Sequence, residues 1–279
     1  MIKDFFTYNF LRYALIAGIL CSIVSGIIGV IITEKKMLLM SGGIAHTTYG
    51  GVGLGYLLGF EPIIGAFIFA VSSSILAGSI KRKNQAYNDL IIGLLWPLGM
   101  ALGVIFVSFM PSYPPDLNAY LFGDILSISK IDLIMISVLS FIIVLTVIML
   151  FENIKIFLFD KEFTRVNKCN TKFLEYLLLV LIAMSVVVLI KTTGIVLSIA
   201  LLTAPAATSS NITHSFKKRM IYSILFGILY TFIGLIASYL FDVPTGAIIV
   251  VFAVFGYFLS LLIKKIVLSI KLKKEARHE

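Results

Sequence analysis

Residues 40–55 read MSGGIAHTTYGGVGLG and lie inside an uncharged run from Met37 to Phe60. That run is long enough to cross a lipid bilayer as a helix. His46 stands near its middle, and an ionisable side chain at that depth is costly unless it faces a partner, a cavity or a pathway. Two interpretations follow. His46 is a point on a transport path for a cation that imidazole binds, or it is a structural residue that makes a hydrogen bond between helices.

Glycine is frequent in the same run, at positions 42, 43, 50, 51, 53, 55 and 59. The four-residue spacing from Gly51 to Gly55 and on to Gly59 removes side chains from one helix face, so a neighbouring helix can pack closely. We therefore predict that Gly42, Gly51 and Gly55 serve helix packing or a helix break.

The composition describes a membrane protein. Of 279 residues, 59% are hydrophobic and only 13% are charged, and the mean hydropathy is +1.06. These values predict an all-α, polytopic integral membrane protein rather than a soluble domain. The net charge of +9 then reflects basic cytoplasmic loops and lipid contact, so no nucleic-acid partner is expected. Cys21 and Cys169 form no C-x-x-C motif.

Charged residues divide the chain into nine apolar runs, each near the length of a spanning helix. The runs are 13–33, 37–60, 62–80, 90–115, 133–151, 176–190, 192–216, 220–241 and 243–263. The direct count is nine spans, or eight if one run is re-entrant. The whole chain, 1–279, is predicted to form a single transmembrane domain.

Lysine and arginine set the orientation. Alternate connections, beginning with the one after the first run, hold 19 of the 23 basic residues. The positive-inside rule places these connections and the C-terminus in the cytoplasm, for a multi-pass protein of the plasma membrane. The longest of them runs from Glu152 to Glu175. In it Phe159, Phe163 and Val166 form an apolar face at helical spacing, suited to docking on a partner or to lying on the lipid surface.

Two further segments leave alternatives open. The outer connection carries Asp116 and Asp124, and its second half, 117–128, is either an interfacial or re-entrant helix or a solvated loop. Pro205 lies inside an apolar run, where it predicts a kink or break that lines a pathway, or a simple packing kink. Pro97 is a second candidate break. Between two apolar runs, Lys191-Thr192-Thr193-Gly194 is predicted to form a very short turn.

No motif for energy coupling occurs in the sequence. It lacks the Walker A P-loop, and it also lacks the H-E-x-x-H and G-x-S-x-G motifs of hydrolases. Transport energy must therefore come from a gradient or from a separate ATPase, and the chain is not expected to be an enzyme.

Three segments resemble the permease subunits of bacterial and archaeal ABC importers for zinc, manganese and iron(II). They are GGIAHTTYGGVGLGYLLG at 42–59, NAYLFGDIL at 118–126, and FDKEFTR at 159–165 with KTTGI at 191–195 and APAAT at 204–208. Each motif alone is weak, but their order and spacing also match, over about residues 10–265.

The resemblance implies a homodimer or a pair of similar permeases, two cytoplasmic ABC ATPase subunits, and an extracellular metal-binding protein that delivers the ion. His46 matches the family's channel histidine, which coordinates the metal in transit. The connection 152–175 would contain the helix that couples to the ATPase. The implied coupling residues are Phe159, Asp160, Glu162, Phe163 and Arg165. The chain itself would bind no cofactor, and ATP would be used by the partner.

One position departs from the family, which usually carries aspartate four residues before the histidine. Here that residue is Gly42. The family pair would place both ligands on one helix face. Without the carboxylate the site is neutral when His46 is unprotonated, so zinc is expected, with manganese or iron as alternatives.

Two other classes of function compete with this one. A stand-alone, gradient-driven metal transporter predicts several carboxylates within the spans, where the sequence has almost none. An intramembrane enzyme built on His46 needs a paired nucleophile or a metal cluster, and the sequence shows neither.

Overall fold

The computed structural model describes residues 8–83, 88–111, 118–159 and 170–275. All regular secondary structure in these ranges is helical, which confirms the predicted all-α class. The helices are α1 (Asn9–Lys35), α2 (Leu38–Leu58), α3 (Pro62–Lys83), α4 (Asn88–Ser108), α5 (Asn118–Phe122), α6 (Lys130–Met149), α7 (Phe151–Phe159), α8 (Thr171–Ile212), α9 (Phe216–Phe241) and α10 (Thr245–Glu275).

Seven of the described helices are long and apolar enough to cross a membrane: α1, α3, α4, α6, α8, α9 and α10. Helix α8 has 42 residues and is interrupted at Gly194, so it contributes two membrane-length segments. Helix α2, with 21 residues, is not among these seven, and glycine, threonine and His46 take up much of its sequence. With α2 included, the helical segments follow the nine apolar runs of the sequence.

Helices α1 and α8 form the centre of the bundle. In each of them 72% of the most apolar window is buried, against 22% in α4, 28% in α6 and 17% in α10. Helix α2 is also central, and its residues from Met40 to Gly53 are buried. The weakly buried helices therefore present their apolar side chains to the bilayer, while α1, α2 and α8 pack against protein.

The interruption of α8 depends on glycine. Gly194 has φ 75° and ψ 169°, a backbone conformation that side chains disfavour. A Cβ atom there would also overlap the carbonyl oxygen of Leu121. The predicted short turn 191–194 thus contains the interruption. Helix α8 continues through Pro205, which is buried, so the structure shows no break there, and a packing kink at Pro205 stays a prediction.

The outer connection packs into the bundle. Helix α5 is followed by a 3₁₀ turn, Ile125–Ser127, and the side chains of Tyr120, Ile125 and Ile128 are at most 5% exposed. The Asp124 carboxylate accepts a hydrogen bond from the backbone N–H of Leu126 at 3.0 Å. The structure therefore supports a short packed helix over a solvated loop, and Asp124 stabilises the turn. Asp116 lies outside the described residues.

Ion pairs join connections that the charge pattern assigns to the same side. Arg219 pairs with Glu34, and Arg82 pairs with Glu175 at 3.1 Å. These four residues belong to the basic connections. At the opposite end of the bundle Lys191 lies 3.4 Å from Asp132. The structure therefore shows the alternation of sides that the sequence predicts.

Candidate functional site

Glycine contacts set the register between α2 and α4. A Cβ at Gly99 would overlap the backbone of Thr47, and a Cβ at Gly103 would overlap the Tyr49 ring and backbone. At Gly50 it would lie 3.0 Å from the carbonyl oxygen of Gly99. The two backbones therefore touch directly after His46, and these contacts fix the position of α4 along α2.

His46 meets two side chains of α4. Its ring stacks on Trp96 with centroids 4.2 Å apart and an interplanar angle of 19°. Its Nδ1 atom lies 3.2 Å from the sulfur of Met100. Trp96 and Met100 are one helical turn apart and so share a face of α4. The histidine is 5% exposed, whereas both partners are half-buried, so the group reaches the surface of the chain through α4.

The position one turn before His46 is filled by hydrophobic side chains. A Cβ at Gly42 would lie 2.9 Å from Cδ1 of Ile199 and 3.2 Å from Cζ3 of Trp96. The indole therefore covers both the imidazole face and the space above Gly42. Among the described residues, the three atoms nearest to such a Cβ are all carbons of Ile199 and Trp96.

Helix α2 also packs on α3, through Gly51 and Gly55. A Cβ at Gly51 would overlap the carbonyl of Gly65, and one at Gly55 would lie 2.7 Å from the Cα of Pro62. The neighbouring Thr47 hydroxyl lies 2.8 Å from the Ser73 hydroxyl on α3, away from the imidazole. Gly51 and Gly55 thus stand at a helix–helix contact that carries no titratable group.

Within the described ranges no three His, Cys, Asp or Glu side chains come together as a metal site. The imidazole and thioether of His46 and Met100 are the donor atoms that this arrangement brings face to face. A single imidazole with one weak sulfur donor suits a transient site, because transport requires binding weak enough for release.

Trp96 and Met100 were missed as site residues by the sequence reasoning. The available signal was the Gly99-x-x-x-Gly103 spacing, which marks the face of α4 that packs closely on a neighbour. That spacing does not specify which neighbouring helix this face packs on, or at which register.

Of the predicted coupling residues, only Phe159 is described. It ends α7, is 59% exposed, and meets the ring of Phe216 edge-on at 5.7 Å. The ammonium group of Lys35 donates to the carbonyl of Phe157 at 2.7 Å and so ties α7 to α1. Asp160, Glu162, Phe163 and Arg165 lie outside the described residues, so their role stays a prediction.

These features define a class: a polytopic helical membrane protein with a buried histidine on a glycine-rich central helix, opposite a thioether. Comparison with known proteins names the family. The sequence matches the ABC 3 transport family over residues 7–264, so the chain belongs to that family. It is a permease and not an enzyme, as the sequence predicted.

Individual relatives agree along nearly the whole chain. The manganese transport system membrane protein MntC of Listeria monocytogenes is 33% identical over 255 residues, 91% of each chain. The structure of PsaBC from Streptococcus pneumoniae in complex with Fab is 31% identical, with a TM-score of 0.84 over 93% of this chain and 95% of that one. An inward-facing ABC transporter that is 13% identical shares the fold, with a TM-score of 0.74.

Proposed function

We propose that this chain is the membrane-spanning subunit of an ATP-driven importer of divalent transition metal ions, with zinc as its cargo and His46 as a ligand on the path. The observation that carries the proposal is the buried imidazole on the central helix α2, 3.2 Å from a thioether. Membership of an ABC family supplies the transport context.

The chemistry of the site supports zinc. Imidazole suits zinc, copper, iron and nickel, whereas carboxylate, carbonyl and water suit manganese and magnesium. The side chains that contact His46 are an indole and a thioether, both uncharged. A site of this kind gives a hard ion such as Mn²⁺ little to bind.

Manganese is the second candidate cargo, and the name of the Listeria relative favours it. Iron(II) is a third alternative. The stand-alone, gradient-driven reading has less support, because it needs carboxylates within the spans that are free to take up protons. Asp132, at the start of α6, is already held by the hydroxyl and N–H of Ser129 and by Lys191.

The proposed partners follow from the interpretation of the chain as a subunit of an ATP-driven importer. A separate ATPase would contact the end of the bundle where Phe159 is exposed, and ATP binding and hydrolysis there would rock the helices around the site by alternating access. A second permease copy and an extracellular metal-binding protein would complete the importer in the plasma membrane. The basic connections and the C-terminus would face the cytoplasm.

The test compares cellular metal content in metal-limited medium, with the ATPase and binding protein present. The strains lack the gene or express the natural chain, His46→Ala or His214→Ala at equal levels. His214 is exposed in the connection between α8 and α9 and serves as the matched control. We expect the natural chain and His214→Ala to restore zinc, and His46→Ala to fail. If no metal differs among the strains, the metal-import proposal is wrong.

A further inference from the structure

We propose that Met100 is a second ligand for the transported ion and determines its identity, so that the site is a neutral imidazole–thioether pair selecting nitrogen- and sulfur-preferring ions over Mn²⁺. This inference rests on the proposed function, since it concerns the same site. It assigns a specific role to a residue that the sequence motifs do not mark.

The distance between the donor atoms fits an ion that enters between them. Taking about 2.0–2.1 Å for zinc to imidazole nitrogen and, as a lower bound for a thioether, the roughly 2.3 Å bond of zinc to thiolate sulfur, a tetrahedral angle places the two donors at least about 3.5 Å apart. The observed separation of Nδ1 and the sulfur is 3.2 Å. An opening of a few tenths of an ångström is within the reach of methionine, whose side chain has three rotatable bonds.

The surroundings hold the two donors in place. The glycine contacts between α2 and α4 keep Met100 opposite His46, and Trp96 fixes the plane of the imidazole by stacking. Trp96 and Ile199 also fill the space above Gly42. An ion bound by His46 is therefore offered sulfur by α4, whereas Gly42, one turn earlier on α2, has no side chain to offer.

The competing explanation is a structural contact in which the imidazole N–H donates to sulfur. The two explanations differ in what happens when the sulfur is removed. A structural contact stabilises the protein whichever ion is carried, so its loss changes the uptake of every ion alike. A ligand acts on ions according to their affinity for thioether sulfur, so its loss changes their order.

The experiment uses the full chain with its ATPase and binding protein in proteoliposomes, and measures ATP-dependent uptake of Cd²⁺, Zn²⁺ and Mn²⁺ separately. Met100→Leu preserves shape and removes sulfur, and Met100→Gln substitutes a hard oxygen donor of similar length. Met184→Leu is the control, because Met184 is a methionine buried in α8. ATPase activity in each preparation normalises the amount of folded complex.

We expect Met100→Leu to lower Cd²⁺ uptake at limiting concentration by about tenfold, a typical loss on removing a partner at a metal site, and Zn²⁺ uptake by less. Mn²⁺ uptake should stay within about twofold in Met100→Leu and rise relative to Cd²⁺ in Met100→Gln. The control should leave the order of ions unchanged. If all three ions fall equally in both Met100 variants, or none changes, Met100 is a structural residue.

The outcomes also separate this inference from the proposed function. If the natural complex takes up none of the three ions, the proposed function itself is wrong. If it takes up ions and both Met100 variants keep the natural ratios among the three ions, metal import stands and only the role of Met100 is rejected.

Discussion

Two glycines of helix α2, Gly51 and Gly42, meet different kinds of atoms. Toward α3, Gly51 meets the backbone carbonyl of Gly65, so that contact consists of main chain alone. At the start of the site, Gly42 meets the side-chain ends of Trp96 and Ile199. Backbone cannot yield to an added atom, whereas the end of a side chain can rotate. The contact of Gly51 with Gly65 is therefore structural and excludes a side chain. At Gly42 a side chain can be added if Trp96 and Ile199 move.

The largest effect is expected on the α3 side. Gly51→Ala forces apart two backbones in contact and should cost at least about 3 kcal/mol, the upper end for overpacking, with loss of folded protein. Gly93→Ala is the control, because nothing lies within 4 Å of its added Cβ. Thermal unfolding of both variants in detergent gives the comparison. Equal melting temperatures would show that the contact between Gly51 and Gly65 does not exclude an added methyl group.

A smaller effect is expected from a change at Gly42. Gly42→Ala should fold at a cost of about 1–3 kcal/mol, because Ile199 and Trp96 must shift. Gly42→Asp adds a carboxylate on the face of His46 and should raise the uptake of Mn²⁺ relative to Zn²⁺. The measurement is the Mn²⁺-to-Zn²⁺ uptake ratio in the two variants at equal expression. A ratio equal in Asp and Ala variants would show that an oxygen donor there does not reach the ion.

The smallest effect concerns the stacked indole. Trp96→Leu removes an aromatic contact of about 0.5–1.5 kcal/mol, so uptake at limiting zinc should fall roughly two- to tenfold. The order of ions should stay as in the natural chain, because the donors His46 and Met100 remain. Competition between Zn²⁺ and Mn²⁺ for uptake is the measurement. A reversed order would make Trp96 a determinant of ion identity rather than a positioning residue.

The sequence predicted most of the fold because the bilayer imposes simple rules. Charged residues are excluded from its interior, so the apolar runs between them give the helical segments directly. The turn before Gly194 followed from the same pattern. The location of the break within that region did not follow from Pro205, because a membrane helix tolerates proline where neighbouring groups satisfy the freed carbonyl, while glycine readily adopts the positive φ seen at 194.

The candidate site was predicted in part. His46 was identified because placing an imidazole in the middle of an apolar run costs free energy unless the ring faces a partner, a cavity or a pathway. Met100 and Trp96 did not stand out, since methionine and tryptophan are ordinary residues of a spanning helix. The packed segment 118–128 was likewise left between two interpretations, because its mixed polarity suits both an interface and a loop.

By itself the sequence determined that this chain spans a membrane repeatedly, which connections share a side, and that one histidine lies at mid-depth on a glycine-rich helix. Only the tertiary structure decided what that histidine faces. The reason is that periodicity places residues on a face of one helix, whereas the identity and register of the neighbouring helix depend on long-range backbone contacts. Here those contacts are Gly99 on Thr47 and Gly103 on Tyr49, and they bring the sulfur of Met100 to His46.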